Sequence, residues 1–153
     1  MHTAGTDTQP SSDRGGLVPV SVHFDDLDPM GRLHNSRYQV LVERAWIGFW
    51  LARGFGEKSG FGGDLFHVVK AFTITYDAPV TNLSEYAVHL WVDHLGNTSA
   101  TARYRVCSTD GHTTYARGNL TVVRIDNNAL QPTPWSDSFR EVAQSLQAPR
   151  DVD

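Results

Sequence analysis

The spacing of apolar residues changes along the chain, and each change predicts an element. In "LVPVSVHF", residues 17–24, Val18, Val20, Val22 and Phe24 alternate with smaller or polar neighbours, the period of a half-buried strand. From Asn35 or Ser36 to about Arg53 the period lengthens. Tyr38, Leu41, Val42, Ala45, Trp46 and Phe49 then recur at helical spacing and form one stripe. Val40, Ile47 and Trp50 carry apolar character onto other faces, which predicts a buried helix, and Gly54 is a natural stop. "GFGEKSGFGG" follows as a glycine-rich connection. Beyond it, "LFHVVKAFTITYDAPV" predicts a strand running into a turn at Pro79–Ser84. "EYAVHLWVDHL" places Tyr86, Val88, Leu90 and Val92 on one face, and a turn at "GN" leads into "TSATARYRVCS". "DGH" is a hairpin signal before "TTYARGNLTVVRI". After "QPTPW", "SDSFREVAQSLQ" predicts a short amphipathic helix capped by Ser136 or Asp137.

The order is therefore one strand, a long helix, then four strands joined by short turns, which predicts an antiparallel meander. A single sheet buries a single helix only if it curls around it. The predicted class is α+β, a curled sheet of about five strands wrapped around one central helix. Residues 17–147 form the domain. Residues 1–16, rich in Thr, Ser, Gly, Asp and Pro, read as a disordered leader, and 148–153 as a flexible tail.

Composition narrows the function. A net charge of −4 gives no electrostatic case for nucleic acid or an anionic membrane. No apolar run approaches the roughly 20 residues that cross a bilayer. The N-terminus lacks the apolar core of a secretory signal. Cys107 is the only cysteine, so no intrachain disulfide forms; this suits a reducing cytoplasm, the expected location. There is no Gly-x-Ser-x-Gly elbow and no phosphate-binding glycine loop. No metal or other cofactor is expected. Leu27 stands where a calcium loop needs a ligand, and His23, His67, His89, His94 and His112 are scattered.

The chemistry concentrates in "FDDLDPMGRLHNSRY", residues 24–38, where acids, a proline and a glycine precede the helix. With "LVERAW" inside the helix and the later strand series, this segment resembles the hotdog fold. More narrowly it resembles the 4-hydroxybenzoyl-CoA thioesterase-like family of acyl-CoA thioesterases, over roughly residues 17–147. The family's Asp-x-Asp-x-x-Gly, polar pair and aromatic fall on Asp26, Asp28, Gly31, His34, Asn35 and Tyr38.

The resemblance implies a role for each. Asp28 would attack a thioester carbonyl or deprotonate a water. The backbone N–H of Asn35, at the positive end of the helix, would polarise the carbonyl oxygen. Gly31 would let the backbone approach the substrate, and Tyr38 would line the site or the core. Many bacterial relatives carry His seven residues beyond the Asp; here that position is Asn35, and His34, which precedes it, is the further catalytic candidate. In the family's dimer the channel runs along the interface, so Asp28 of one chain would face a pocket partly built by the second strand of the other, around His67 to Phe72, with His67, Val68 and Val69 binding substrate. The implied partners are an acyl-CoA or acyl-carrier-protein thioester and further copies of the chain, as a homodimer or homotetramer.

The residues alone leave plainer roles open. Asp28 before Pro29 is a common turn residue, and Asp26 is expected to fix the loop through backbone hydrogen bonds. Glu43 is expected to form an ion pair with a strand residue or with Arg44 of another subunit. Arg103, Arg105, Arg117 and Arg124 either pair with acids or meet coenzyme A phosphates. A non-catalytic acyl-CoA-binding or structural hotdog protein is the alternative function.

Overall fold

The helical stripe closes on itself as its spacing requires. In the computed structural model, which describes residues 15–56 and 63–147, the helix runs Tyr38–Ala52 (α1). Tyr38, Leu41, Val42, Ala45, Trp46, Phe49 and Trp50 are all buried along it. A 3-10 turn, Asn35–Arg37, leads into the helix, so its regular part begins later than the predicted Asn35 or Ser36. Gly54 follows the last turn at φ 86°, a conformation that a side chain would resist. Burial on most faces was the expectation, but one face stays open. Val40 and Ile47 are only half-buried and Leu51 is exposed.

Five strands wrap that helix: Gly16–Ser21 (β1), His67–Tyr76 (β2), Glu85–Leu95 (β3), Ser99–Cys107 (β4) and Thr114–Arg124 (β5). All pairings are antiparallel, in the order β1-β3-β4-β5-β2. Only β3, β4 and β5 form a meander. The expected four-strand meander fails at its first step, because β2 pairs with β5 at the far edge and β1 takes the place beside β3. The connection between β2 and β3 explains this. It is too long for a tight hairpin, and it buries Val80, whose carbonyl accepts from Leu33 N–H at 2.8 Å.

The core face is supplied in register by Val88, Leu90 and Val92 of β3, Ala102, Tyr104 and Val106 of β4, and Leu120 and Val122 of β5. β1 contributes to that core, but the alternation ends at Val22. Phe24, expected on the same face, is 81% exposed because the chain leaves the sheet in a 3-10 turn at Phe24–Asp26. Gly118 lies where an added Cβ would come within 1.9 Å of Thr73 O. Its bareness lets the Tyr104 hydroxyl donate to that carbonyl at 2.7 Å.

The second helix, Asp137–Ser145 (α2), closes one end of the core. Phe139 stacks between Trp50 and Trp135, with ring centroids 4.1 and 4.2 Å away. Ser136 caps α2 as predicted, its Oγ accepting from Phe139 N–H at 3.1 Å. The same serine donates to the buried Asp64 carboxylate at 2.6 Å, and Arg124 lies 3.4 Å from that acid. These elements are those of the hotdog fold. Among the described residues no helix is long and apolar enough to cross a membrane. Residues 1–14, residues 57–62 of the glycine-rich connection and residues 148–153 lie outside the described residues.

Candidate active site

The segment between β1 and α1 is organised by two aspartates with different tasks. Asp26 is 2% exposed. Its carboxylate accepts from His23 N–H at 2.8 Å and from Arg37 Nε at 2.8 Å, and its carbonyl accepts from His34 N–H at 2.9 Å. Burial pushes this carboxyl up, but the His23 N–H and the Arg37 guanidinium outweigh it, and the net shift is downward. Asp26 thus holds the loop, as expected, and ties it to the helix head.

Asp28 opens the loop proper. Leu27 and Leu33 form a β-bridge that pinches residues 28–32 into a tight turn. Asp28 Oδ1 accepts from Met30 N–H at 2.9 Å and Arg32 N–H at 3.0 Å, and Gly31 N–H donates to Asp28 O at 2.9 Å. Gly31 sits at φ 78°, which favours glycine; an added Cβ would meet no atom of the chain. The turn, rather than any close contact inside the chain, therefore explains this glycine. The second oxygen of Asp28 accepts no hydrogen bond among the described residues.

That carboxylate borders a cavity of about 310 Å³. Asn35 and Tyr38 from the head of α1 and Tyr76 and Asp77 from the end of β2 line it too. Tyr38 is buried and packs edge-on against Tyr76, with centroids 5.1 Å apart, so it belongs to core and cavity alike. The backbone N–H of Asn35 donates to no acceptor among the described residues. His34 lies outside this lining. Its Nδ1 accepts from Ser36 N–H at 3.1 Å, so its ring caps the 3-10 turn.

Asp28, Asn35 and Tyr38 are thus brought together, with Gly31 shaping the turn beside them. His67 and Val69 line a second cavity further along α1, and Val68 is exposed on the sheet edge. His67 donates from Nδ1 to Asp64 O at 2.9 Å and accepts Trp46 Nε1–H at 3.2 Å. This network assigns the neutral tautomer, and burial pushes the imidazole pKa down. Sequence spacing gave no sign of the Trp46–His67 contact, which joins residues far apart in the chain.

Two of the four arginines are paired with acids, Arg117 with Asp77 at 3.0 Å and Arg124 with Asp64. Arg105 is buried against His89 and Thr114, and Arg103 lies over the Trp91 ring. Glu43 accepts from Gln39 Nε2 at 2.9 Å and forms no ion pair within the chain among the described residues. His23, Asp25 and Asp26 offer ligand atoms within 4.8 Å of one another. Both Asp26 carboxylate oxygens are already engaged by His23 and Arg37, so the trio is a poor metal site.

The architecture has close counterparts. The PA5185 protein from Pseudomonas aeruginosa superposes with a TM-score of 0.81 at 22% identity, over 93% of this chain and 99% of that one. A candidate acyl-CoA thioesterase from Xanthomonas campestris is 30% identical, over 78% and 97% of the two chains, with a TM-score of 0.65. A Thermus thermophilus thioesterase, solved with coenzyme A and Zn, is 25% identical over 88% and 95%, with a TM-score of 0.67. No curated protein matches the chain. The family described as the thioesterase-like superfamily matches residues 22–143, which include the whole Asp28 loop, α1 and all strands but β1. The chain belongs to that superfamily.

Proposed function

We propose that the protein hydrolyses acyl-CoA thioesters to free acid and coenzyme A, with Asp28 as the reacting carboxylate. One observation carries this reading. Asp28 is fixed by two backbone N–H groups through Oδ1, its other oxygen accepts no hydrogen bond among the described residues, and it shares a cavity with Asn35, whose N–H has no acceptor among them. A thioester bound there has its carbonyl oxygen against the Asn35 N–H, where the charge of the tetrahedral intermediate collects. Asp28 either attacks the carbonyl carbon, expelling the thiolate and leaving an anhydride for water to open, or takes a proton from the attacking water. In both routes the carboxylate is regenerated and a proton from the consumed water ends on the coenzyme A thiolate. The Xanthomonas and Thermus proteins support the choice of acyl-CoA as substrate.

A second reading has an observation of its own. Oδ1 of Asp28 closes the turn, which a purely structural aspartate would also do. Asp28→Asn separates the two, because its amide oxygen keeps the turn while the charge is gone. Loss of thiol release with acyl-CoA binding retained supports the hydrolase. Unchanged binding with no turnover in either form supports a binding module.

A further inference from the structure

The second cavity, about 360 Å³, lies between α1, β2 and β5. Trp46, Leu65, Phe66, Val69, Leu120 and Val122 make most of its wall. The polar groups of Trp46 and His67 are consumed by each other and by Asp64 O. Glu43 is the one acid among the described residues that line the cavity. Its Oε2 accepts from Gln39, one turn earlier on α1, while Oε1 has no hydrogen-bond partner among the described residues. It lines the cavity together with His67, and its charge favours the protonated form of that ring.

Glu43 stands eight residues beyond Asn35, or roughly 12 Å along the helix axis. An acyl group that followed α1 from a carbonyl at the helix head would reach the level of this cavity at that distance. A plain hydrocarbon there would strip water from a carboxylate oxygen and offer nothing in return, whereas a donor would satisfy it. We infer that this cavity receives the distal end of the acyl group and that Glu43 selects acyl groups bearing a hydroxyl there. The inference rests on the thioesterase reading above and names the substrate class for that site.

The test uses matched pairs, hexanoyl, decanoyl and tetradecanoyl thioesters of coenzyme A against their ω-hydroxy forms. Turnover is compared as kcat/KM, and binding as Kd for the corresponding non-hydrolysable thioethers by calorimetry. At the chain length that fits, wild type should favour the hydroxylated member about tenfold or more in both readouts. Glu43→Gln, which keeps an acceptor oxygen, should retain part of that preference, and Glu43→Leu should abolish or reverse it. Equal treatment of every pair by wild type, or an unchanged preference in Glu43→Leu, overturns the inference. If turnover depends on Asp28 but shows no preference, the hydrolase stands and only the selection fails. If the thioethers bind with the preference but no thioester is cleaved, the selection stands and the hydrolase fails. If no thioether binds, the cavity is not an acyl site.

Discussion

At the scale of single residues, the two aspartates of one motif do different work, and this can be measured. Asp26 is a buried acid with a half-exposed arginine partner. Asp26→Asn should lower stability by roughly 2 kcal/mol at neutral pH, discounted from a fully buried pair for the solvent reaching Arg37. Its native pKa is depressed, so its contribution is full above the unfolded carboxylate value and disappears as pH falls through the native one. Urea midpoints of wild type and Asp26→Asn should therefore differ at pH 7 and converge below about pH 4. Asp28 behaves oppositely. Asp28→Asn should change stability by less than about 0.5 kcal/mol, whereas Asp28→Ala, which also loses the turn acceptor, should cost about 1 kcal/mol in the same titration. The division was partly legible beforehand. Motif register singled out Asp28, and loop-fixing was expected of Asp26. The Arg37 partner and the capping ring of His34 were not legible, because they depend on how the loop folds back on the helix head.

At the scale of elements, α1 was legible because a period near 3.6 with six apolar residues leaves few alternatives. The bounds of β3 were equally plain. The pairing of β2 with β5 was not, since alternation says which face is buried but not which strand lies alongside. Val80, a lone valine in a turn-rich stretch, is what draws the β2–β3 connection against Leu33 and away from a hairpin. The latch of α2 likewise joins residues far apart in sequence, Asp64 and Ser136. Ser136→Ala removes both the cap and this bond and should cost about 1–2 kcal/mol by thermal or denaturant unfolding. Phe139→Ala, which empties a stack between two tryptophans, should cost more, about 3–5 kcal/mol. Equal losses for the two variants would mean that α2 is held by its cap and not by its packing.

At the scale of the whole molecule, β2 forms an open sheet edge whose Val68 and Val69 are exposed. Such an edge is a template for pairing with another strand. A second copy aligned there would extend the sheet and bring its own β2 beside this one, in keeping with the expected homodimer or homotetramer. Light scattering should give a mass of two or four chains, and the double variant Val68→Lys, Ala71→Lys should lower it; a monomeric wild type would contradict this assembly. The proposed hydrolysis nonetheless depends on Asp28. The most direct test is free thiol release from short-chain, long-chain and aromatic acyl-CoAs, with wild type and Asp28→Asn measured side by side. Turnover by wild type, reduced at least about a hundredfold in Asp28→Asn with acyl-CoA binding intact, is the predicted result. Equal turnover by the two proteins would contradict it, because the reacting carboxylate would then lie elsewhere.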